Sequence, residues 1–239
     1  MTTLRTTIFW AGLIPWTLFV IITGTPLSLI NPDWMHNYCR IWARLLLVLA
    51  GVRLSVKGRE HLPQGEPLIF MPNHQSTFDI LALFIALPVQ FRWIAKEELF
   101  HIPFFGFAMR RAGYISIDRG DRKKAIKSMD VAAQRIAAGT SVIIFPEGTR
   151  SEDGKLLPLK KGGFVLALKS GVSILPMAIE GSCKVNPKHS LRLYGGEIHV
   201  TLQPAIPTAD LPMSERDRLM EEVRTSLASV LGPPAKESR

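Results

Sequence analysis

"LIFMPNHQSTFDILALF", residues 68–84, changes its hydrophobic period part-way. Leu68 to Met71 is a short continuous apolar run, the pattern of a buried strand. Pro72 and Asn73 break it. From Phe78 to Leu87 apolar residues continue at a helix's length. Strand, turn and helix in that order make half of a βαβ unit. His74 and Asp79 stand at the junction. On one continuous helix, residues five apart lie roughly 140° round the axis and share no face. They meet only if His74 lies in the turn and Asp79 points back from the first helical turn. An aspartate accepting from one imidazole nitrogen fixes the tautomer and leaves the other nitrogen free to take a proton. A structural reading fits equally well: Ser76 caps the helix and Asp79 closes a capping box.

Outward from this unit the alternation repeats. Candidate strands are 54–57, 68–71, 91–95, 114–117, 141–145, 174–179 and 198–202. Candidate helices are 78–87, 104–111, 122–138, 163–170 and 214–231. The last opens with Ser214 and Asp217 at capping-box spacing and carries Leu219, Val223 and Leu227 on one face. The pattern predicts an α/β domain over 53–232, with a mostly parallel sheet flanked by helices. Sites in such sheets form at the carboxyl ends of strands. Residues 233–239 read as a frayed tail.

The 239 residues are 47% hydrophobic and 21% charged, so a packed core is expected and disorder is not. The net charge of +9 suits acidic partners such as anionic lipid or phosphorylated substrates, and no nucleic-acid motif occurs. Cys39 and Cys183 form neither a disulfide pattern nor a zinc pattern. Thr6 to Pro32 carries no charge, and the 23 residues from Ile8 to Ile30 are long enough for a ~30 Å hydrocarbon core. Pro15, Gly24 and Pro26 interrupt this run. A second apolar run, Ile41 to Val52, is too short to span. Residues 1–52 are therefore expected to hold an apolar membrane element, and length alone favours a span. Trp10, Trp16, Trp34 and Trp42 suit a membrane–water interface. Arg40, Arg44, Arg53, Lys57 and Arg59 place the following domain on the cytoplasmic side, at the inner membrane if the source is bacterial.

Three further strand ends carry charge. Arg119 follows "GYISID", where a guanidinium can hold phosphate by a bidentate fork. Glu147, Gly148, Thr149 and Arg150 follow "VIIFP"; the plain reading there is a surface loop with a local ion pair. Lys96 follows "FRWIA". Pro176 within "SILPMAIEG" predicts an edge strand or a bulge. No Walker loop, G-x-G-x-x-G, G-x-S-x-G or H-E-x-x-H occurs. His36, His61, His101, His189 and His199 stand apart and read as ordinary.

Taken together, "NHQSTFD" (73–79), "GYISIDR" (113–119), "FPEGTR" (145–150) and "ILPMAI" (174–179) resemble, in order, four blocks of the glycerolipid acyltransferase family, most nearly its lysophosphatidate-acylating members. "KEELFHIPFFG" (96–106) also resembles the family. Ser116 stands where a bulkier residue is common. The resemblance covers roughly residues 55–205. It implies transfer of a fatty acyl group from a thioester to the free sn-2 hydroxyl of lysophosphatidate, giving phosphatidate. His74 would be the general base and Asp79 its orienting partner. Arg119, Lys96 and Arg150 would hold the acceptor phosphate, and Glu147, Gly148 and Thr149 would shape the loop beside it. The co-substrate would be acyl-CoA or acylated acyl carrier protein, with no metal and no cofactor. The resemblance also implies that residues 1–52 form an apolar two-helix membrane element that dips into one leaflet, which the Pro and Gly interruptions favour over a span. Alternatives are another acceptor (glycerol 3-phosphate or another lyso-lipid), a lipid hydrolase, and a non-catalytic membrane-binding relative.

Overall fold

A computed structural model describes residues 2–118 and 122–232, with the side chains of residues 122–124 left out. The expected tail, 233–239, and Arg119 lie outside the described residues. Each predicted strand is found: β1 (Val52–Lys57), β2 (Ile69–Pro72), β3 (Arg92–Lys96), β4 (Ile115–Ile117), β5 (Val142–Ile143), β6 (Ile174–Glu180) and β7 (Gly196–Leu202). They form one sheet in the order β1-β7-β6-β2-β5-β3-β4. Every neighbouring pair is parallel except β6 with β7. Helices cover both faces, so β2 is buried at every position and reads as a continuous apolar run. Phe70 points into one core, with Leu83, Phe91 and Val200. Its neighbours Ile69 and Met71 point into the other, with Phe164, Leu219 and Val223. This is the two-residue alternation of a strand.

The helices are α1 (Thr2–Ile30), α2 (Pro32–Leu49), α3 (Phe78–Ala86), α4 (Glu97–Phe100), α5 (Phe105–Arg111), α6 (Arg122–Ala137), α7 (Lys161–Ser170), α8 (Ser182–Val185) and α9 (Arg216–Leu231). Leu219, Val223 and Leu227 are fully buried on α9, as their spacing predicts. The expected Ser214 cap does not form. Met213–Glu215 make a 3₁₀ turn first, no side chain caps α9, and Asp217 pairs with Arg216 instead.

Pro176 does not lie on an edge, since β6 sits between β7 and β2. It does lie at a bulge. Met177 pairs with Leu202 and Ile174 bridges Ile206, so Leu175 and Pro176 face three residues, 203–205. The ladder is already interrupted where the proline lacks its N–H.

At the N-terminus α1 runs unbroken through Pro15 and Pro26. α2 begins at Pro32, well before the apolar run at Ile41. The Asn31 side chain accepts from the Asp33 N–H at 2.8 Å, and Pro32 sits at the first helical position. The apolar count missed this start because the helix's first turns are polar toward the domain. Asp33 pairs with Arg92, and Arg40 donates to the carbonyls of Leu87 (3.0 Å) and Val89 (2.7 Å). Arg40 is thus a clamp and not part of a free cationic run. The inner face of α2, Ala43, Leu46 and Leu47, joins the core around Leu83 and Phe70. The tryptophans also turn inward: Trp10 donates to Leu191 O, Trp16 to Trp42 O and Trp42 to Thr17 Oγ1. Of these four only Trp34 is exposed, at 46%.

Candidate active site

β2 delivers the chain to the carboxyl edge of the sheet, where a buried amide fixes its exit. Asn73 donates to Ile179 O at 2.9 Å and accepts from Ile179 N at 2.6 Å, tying the turn to β6. The next residue, His74, lies before α3 and meets Asp79 in its first turn, with Nδ1 to Oδ2 at 2.7 Å. The Asp79 oxygen also accepts from the backbone N–H groups of Gln75 (2.7 Å) and Ser76 (2.9 Å). Both sequence readings of the motif are therefore partly realised by one atom. Asp79 reaches back like the acid of a capping box and orients the imidazole at the same time. The Ser76 hydroxyl does not cap in the expected way. It donates to Asn186 O at 2.9 Å, and Phe78 N approaches it at only 3.3 Å. An ionised carboxylate only accepts, so Nδ1 carries the proton and Nε2 presents a lone pair.

The second wall comes from the turn after β5. The His74 ring stacks on Phe145 with centroids 3.8 Å apart and planes 14° apart, and Phe145 stacks in turn near Trp93. Glu147 is 1% exposed and makes no surface ion pair, which corrects the plain loop reading. Its two oxygens accept from the backbone N–H groups of His74 (2.6 Å) and Leu157 (2.7 Å). Ser151 N donates to His74 O at 2.8 Å. Burial pushes the Glu147 carboxyl up to about 7, helped by the nearby Asp79 charge and opposed by the two N–H bonds. Gly148 turns at φ +69, and a Cβ there would meet Lys160 Cδ at 3.0 Å.

His74 and Gly148 are among the residues that line a cavity of about 420 Å³. Its walls are mainly apolar: Val20 and Ile21 from α1, Met35 and Trp42 from α2, Phe84, Trp93, Ala108 and Tyr114. The His74 imidazole, whose Nε2 bonds to no other described residue, therefore borders a mainly apolar space.

The family model described as Acyltransferase matches residues 53–180. The chain belongs to the acyltransferase family. It is 32% identical over 227 residues to the human 1-acyl-sn-glycerol-3-phosphate acyltransferase alpha, covering 94% of this chain and 80% of that relative. It is 34% identical over 173 residues to the 1-acyl-sn-glycerol-3-phosphate acyltransferase of Pseudomonas aeruginosa, covering 72% of this chain and 66% of that one. In fold it is similar to the crystal structure of the 1-acyl-sn-glycerophosphate (LPA) acyltransferase, PlsC, from Thermotoga maritima. The TM-score is 0.78 at 24% identity, with 98% of each chain covered.

The acyltransferase brings most of its sequence-predicted residues to one edge, with differing surroundings. Lys96 ends β3, lines the cavity and pairs with Glu98 at 2.6 Å in solvent. Arg150 is half-buried and bonds to no other described residue. Thr149 is exposed. Arg119 belongs to the stretch after β4 that lies outside the described residues. Sequence reasoning missed the working parts of Asn73, Phe145 and Trp93, and the packing of Lys160 against Gly148. Asn73 and Phe145 lie inside quoted motifs, where each passed for a strand terminus. Trp93 and Lys160 carried no signal, because their proximity comes from separate strands and loops. Among the described residues no group of three or more His, Cys, Asp or Glu is placed to hold a metal.

Proposed function

We propose that the protein is a 1-acyl-sn-glycerol-3-phosphate acyltransferase, with His74 as general base and Asp79 as its orienting partner. The observation that carries this is the Asp79-bonded His74 imidazole bordering the apolar cavity, within a family whose similar members bear that name. The acyl donor is a fatty acyl thioester on coenzyme A or acyl carrier protein, and the acceptor is lysophosphatidate. Nε2 takes the proton of the sn-2 hydroxyl as its oxygen attacks the thioester carbonyl carbon. The tetrahedral intermediate collapses, the C–S bond breaks, and the imidazolium returns the proton to the leaving thiolate. Asp79 stabilises the imidazolium in between. A thioester is already activated, so one positioned base contributing ~10²–10⁴-fold, with both substrates held in register, is adequate chemistry. Metal and cofactor have no part in this reading.

Arg119, Arg150 and Lys96 hold the acceptor phosphate in this proposal, and Gly148 and Thr149 form the loop beside it. Lys96 needs only to leave an exposed partner, a small cost. The acceptor is a lipid, so residues 1–52 serve as a membrane element beside the 53–232 domain, on the cytoplasmic face. α1 is long and apolar enough to cross a membrane by length and composition. Its tethers favour lying in one leaflet. Near its start Arg5 donates to Tyr194 O, and near its end Ser28 O accepts from Arg111, so both ends of a helix about 43 Å long touch the same domain. A spanning helix would carry one end across the bilayer.

The test is purified protein with labelled acyl thioester and a panel of acceptors, followed by product identification. Phosphatidate from lysophosphatidate is expected. Free fatty acid released without acceptor, or preference for glycerol 3-phosphate, overturns the assignment.

A further inference from the structure

Between β3 and β4 the chain makes a compact apolar projection from 97 to 111. Its backbone is tightly bonded: Phe105 N donates to Pro103 O at 2.6 Å, Gly106 N to Ile102 O at 2.7 Å and Ala108 N to Phe104 O at 2.9 Å. Arg110 reaches back to Phe100 O at 2.5 Å. Gly106 is packed so closely that a Cβ would lie 2.0 Å from Phe100 O. This frame buries Phe100 and Met109 and displays Ile102, Phe104 and Phe107 outward. Phe104 is 76% exposed, Phe107 49% and Ile102 46%. Phe104 also holds φ +59 and ψ −50, a conformation that disfavours any residue with a Cβ. A strained backbone that turns a phenyl ring into water gains nothing in the folded domain. Large exposed apolar groups gathered on one element mark an interaction surface.

We infer that the 97–111 projection is a second bilayer-inserting element, independent of α1, and that the two frame a lateral entrance to the cavity. The inference rests on the membrane reading of α1 and extends it. Continuity supports a bilayer as occupant. α5 packs beside α1, with Ile21 against Ala108 and Ala112, and Arg111 bonds Ser28 O. The outer face of α1 carries Leu18, Phe19 and Ile22, each at least 45% exposed. Arg110 and Arg111 close the projection next to α1, away from Glu97 and Glu98 at its start, and suit anionic headgroups. The cavity is lined from both sides, by Thr17, Val20 and Ile21 of α1 and by Leu99, Phe105 and Met109 of the projection. An acyl chain then reaches His74 from the bilayer interior without crossing water.

The experiment places photoreactive benzoylphenylalanine, in the full-length protein, at Phe104, at Ile22 on α1 and at Ile126, an exposed apolar residue of α6. Vesicles of phosphatidylethanolamine and labelled phosphatidylglycerol are added and irradiated. Lipid adducts are expected at 104 and 22 and not at 126. Adducts at 22 alone overturn the projection's role while the α1 reading stands. Adducts at neither site overturn the membrane reading itself. Adducts from 104 to a second copy of the chain overturn the inference in favour of self-association. In a second measurement Phe104→Gly with Phe107→Ser relieves the strain and removes two rings that do not line the cavity. Vesicle affinity is expected to fall about tenfold or more, as two lost apolar anchors imply. Turnover on detergent-dispersed acceptor should be unchanged. Unchanged vesicle affinity overturns the inference.

Discussion

The turn 73–79 and the projection 97–111 both leave the sheet at its carboxyl edge, and they manage their side chains in opposite ways. In the turn, function-bearing groups are buried and held by partners from other elements. Asn73 is bonded across to Ile179, His74 is backed by Phe145, and Glu147 grips the His74 N–H from the next loop. In the projection the backbone hydrogen bonds run mostly between residues of the segment itself, with Arg111 tied to Ser28 O, while Ile102, Phe104 and Phe107 face outward. A site held from several elements tolerates little, because each change strips a partner from a buried group. A platform held by its own backbone tolerates side-chain change and loses only what its surface touched. Substitutions in the turn should therefore cost chemistry or stability, and substitutions of the outward-facing Ile102, Phe104 and Phe107 should cost only lipid contact.

The largest effect is expected at the dyad. His74→Ala removes the proposed general base, and a loss of ~10²–10⁴ in turnover is expected. Asp79→Asn nearly keeps shape, and its amide oxygen can still accept from the Gln75 and Ser76 N–H groups. It removes the charge that stabilises imidazolium, so a loss of ~10²-fold or more is expected. The double variant should be little worse than His74→Ala alone, because residues acting as a unit are not additive. Turnover per folded molecule, with melting temperature alongside, decides it. An Asp79→Asn protein that melts lower but turns over normally would make Asp79 a helix-start residue only.

Glu147 comes next, and it tests whether the turn is held from outside. Glu147→Ala strands two buried N–H groups, at about 1–3 kcal/mol each, and frees the His74 backbone. Glu147→Gln keeps one acceptor and separates charge from packing. The native carboxyl titrates at about 7 against an ordinary 4.5. Between these values the folded protein keeps a proton that the unfolded chain has released. This group's contribution is therefore full below about pH 4.5, declines as pH rises to about 7, and is flat above. Denaturation midpoints against pH should show wild type losing stability relative to the Glu147→Gln variant across that window. A constant difference between the two proteins would remove the raised carboxyl.

The seven strands were legible in sequence because the inner ones are short apolar runs and β1 and β7 alternate apolar with polar residues, and His74 and Asp79 because a helix start is a local event. The start of α2 was hidden by Asp33 and Arg40, which are polar because they face Arg92 and the carbonyls of the α3–β3 loop, and by His36, which packs as a ring against Phe84 and Phe91. Glu147 looked like a surface charge for a related reason. Its partners are backbone N–H groups at His74 and Leu157, and no residue pattern announces a backbone donor. Ser214 shows the converse, a correct local signal overruled by a 3₁₀ turn.

The two cations divide along the same line. Arg150 is half-buried without a partner among the described residues, and Lys96 is exposed and paired with Glu98. A charge-assisted bond to phosphate from the enclosed arginine contributes about 1.5–3 kcal/mol, so Arg150→Ala should raise acceptor KM roughly tenfold or more. Lys96→Ala exchanges one exposed contact for another and should raise it only a few-fold. Acceptor KM measured at saturating donor ranks them. A larger effect at Lys96 would move the phosphate toward β3.

The smallest expected effect is at Ser76, and it separates the scaffold of the turn from its chemistry. Ser76 is fully buried, and its hydroxyl ties the start of α3 to Asn186 O at 2.9 Å. Its backbone N–H, not its side chain, donates to Asp79. Ser76→Ala therefore leaves all three donors on the Asp79 oxygen in place, and unties the loop after α8 together with the long 3.3 Å bond from Phe78 N. The loss should be about 0.5–1.5 kcal/mol for one hydrogen bond, plus a share for the carbonyl left without its donor. Turnover per folded molecule should stay near wild type, since neither imidazole nitrogen changes partner. The same variant excludes the serine as an acyl-accepting nucleophile: a covalent route through Ser76 would lose turnover as completely as His74→Ala. A large loss at unchanged melting temperature would show that route, and with it a two-step reaction in place of direct transfer.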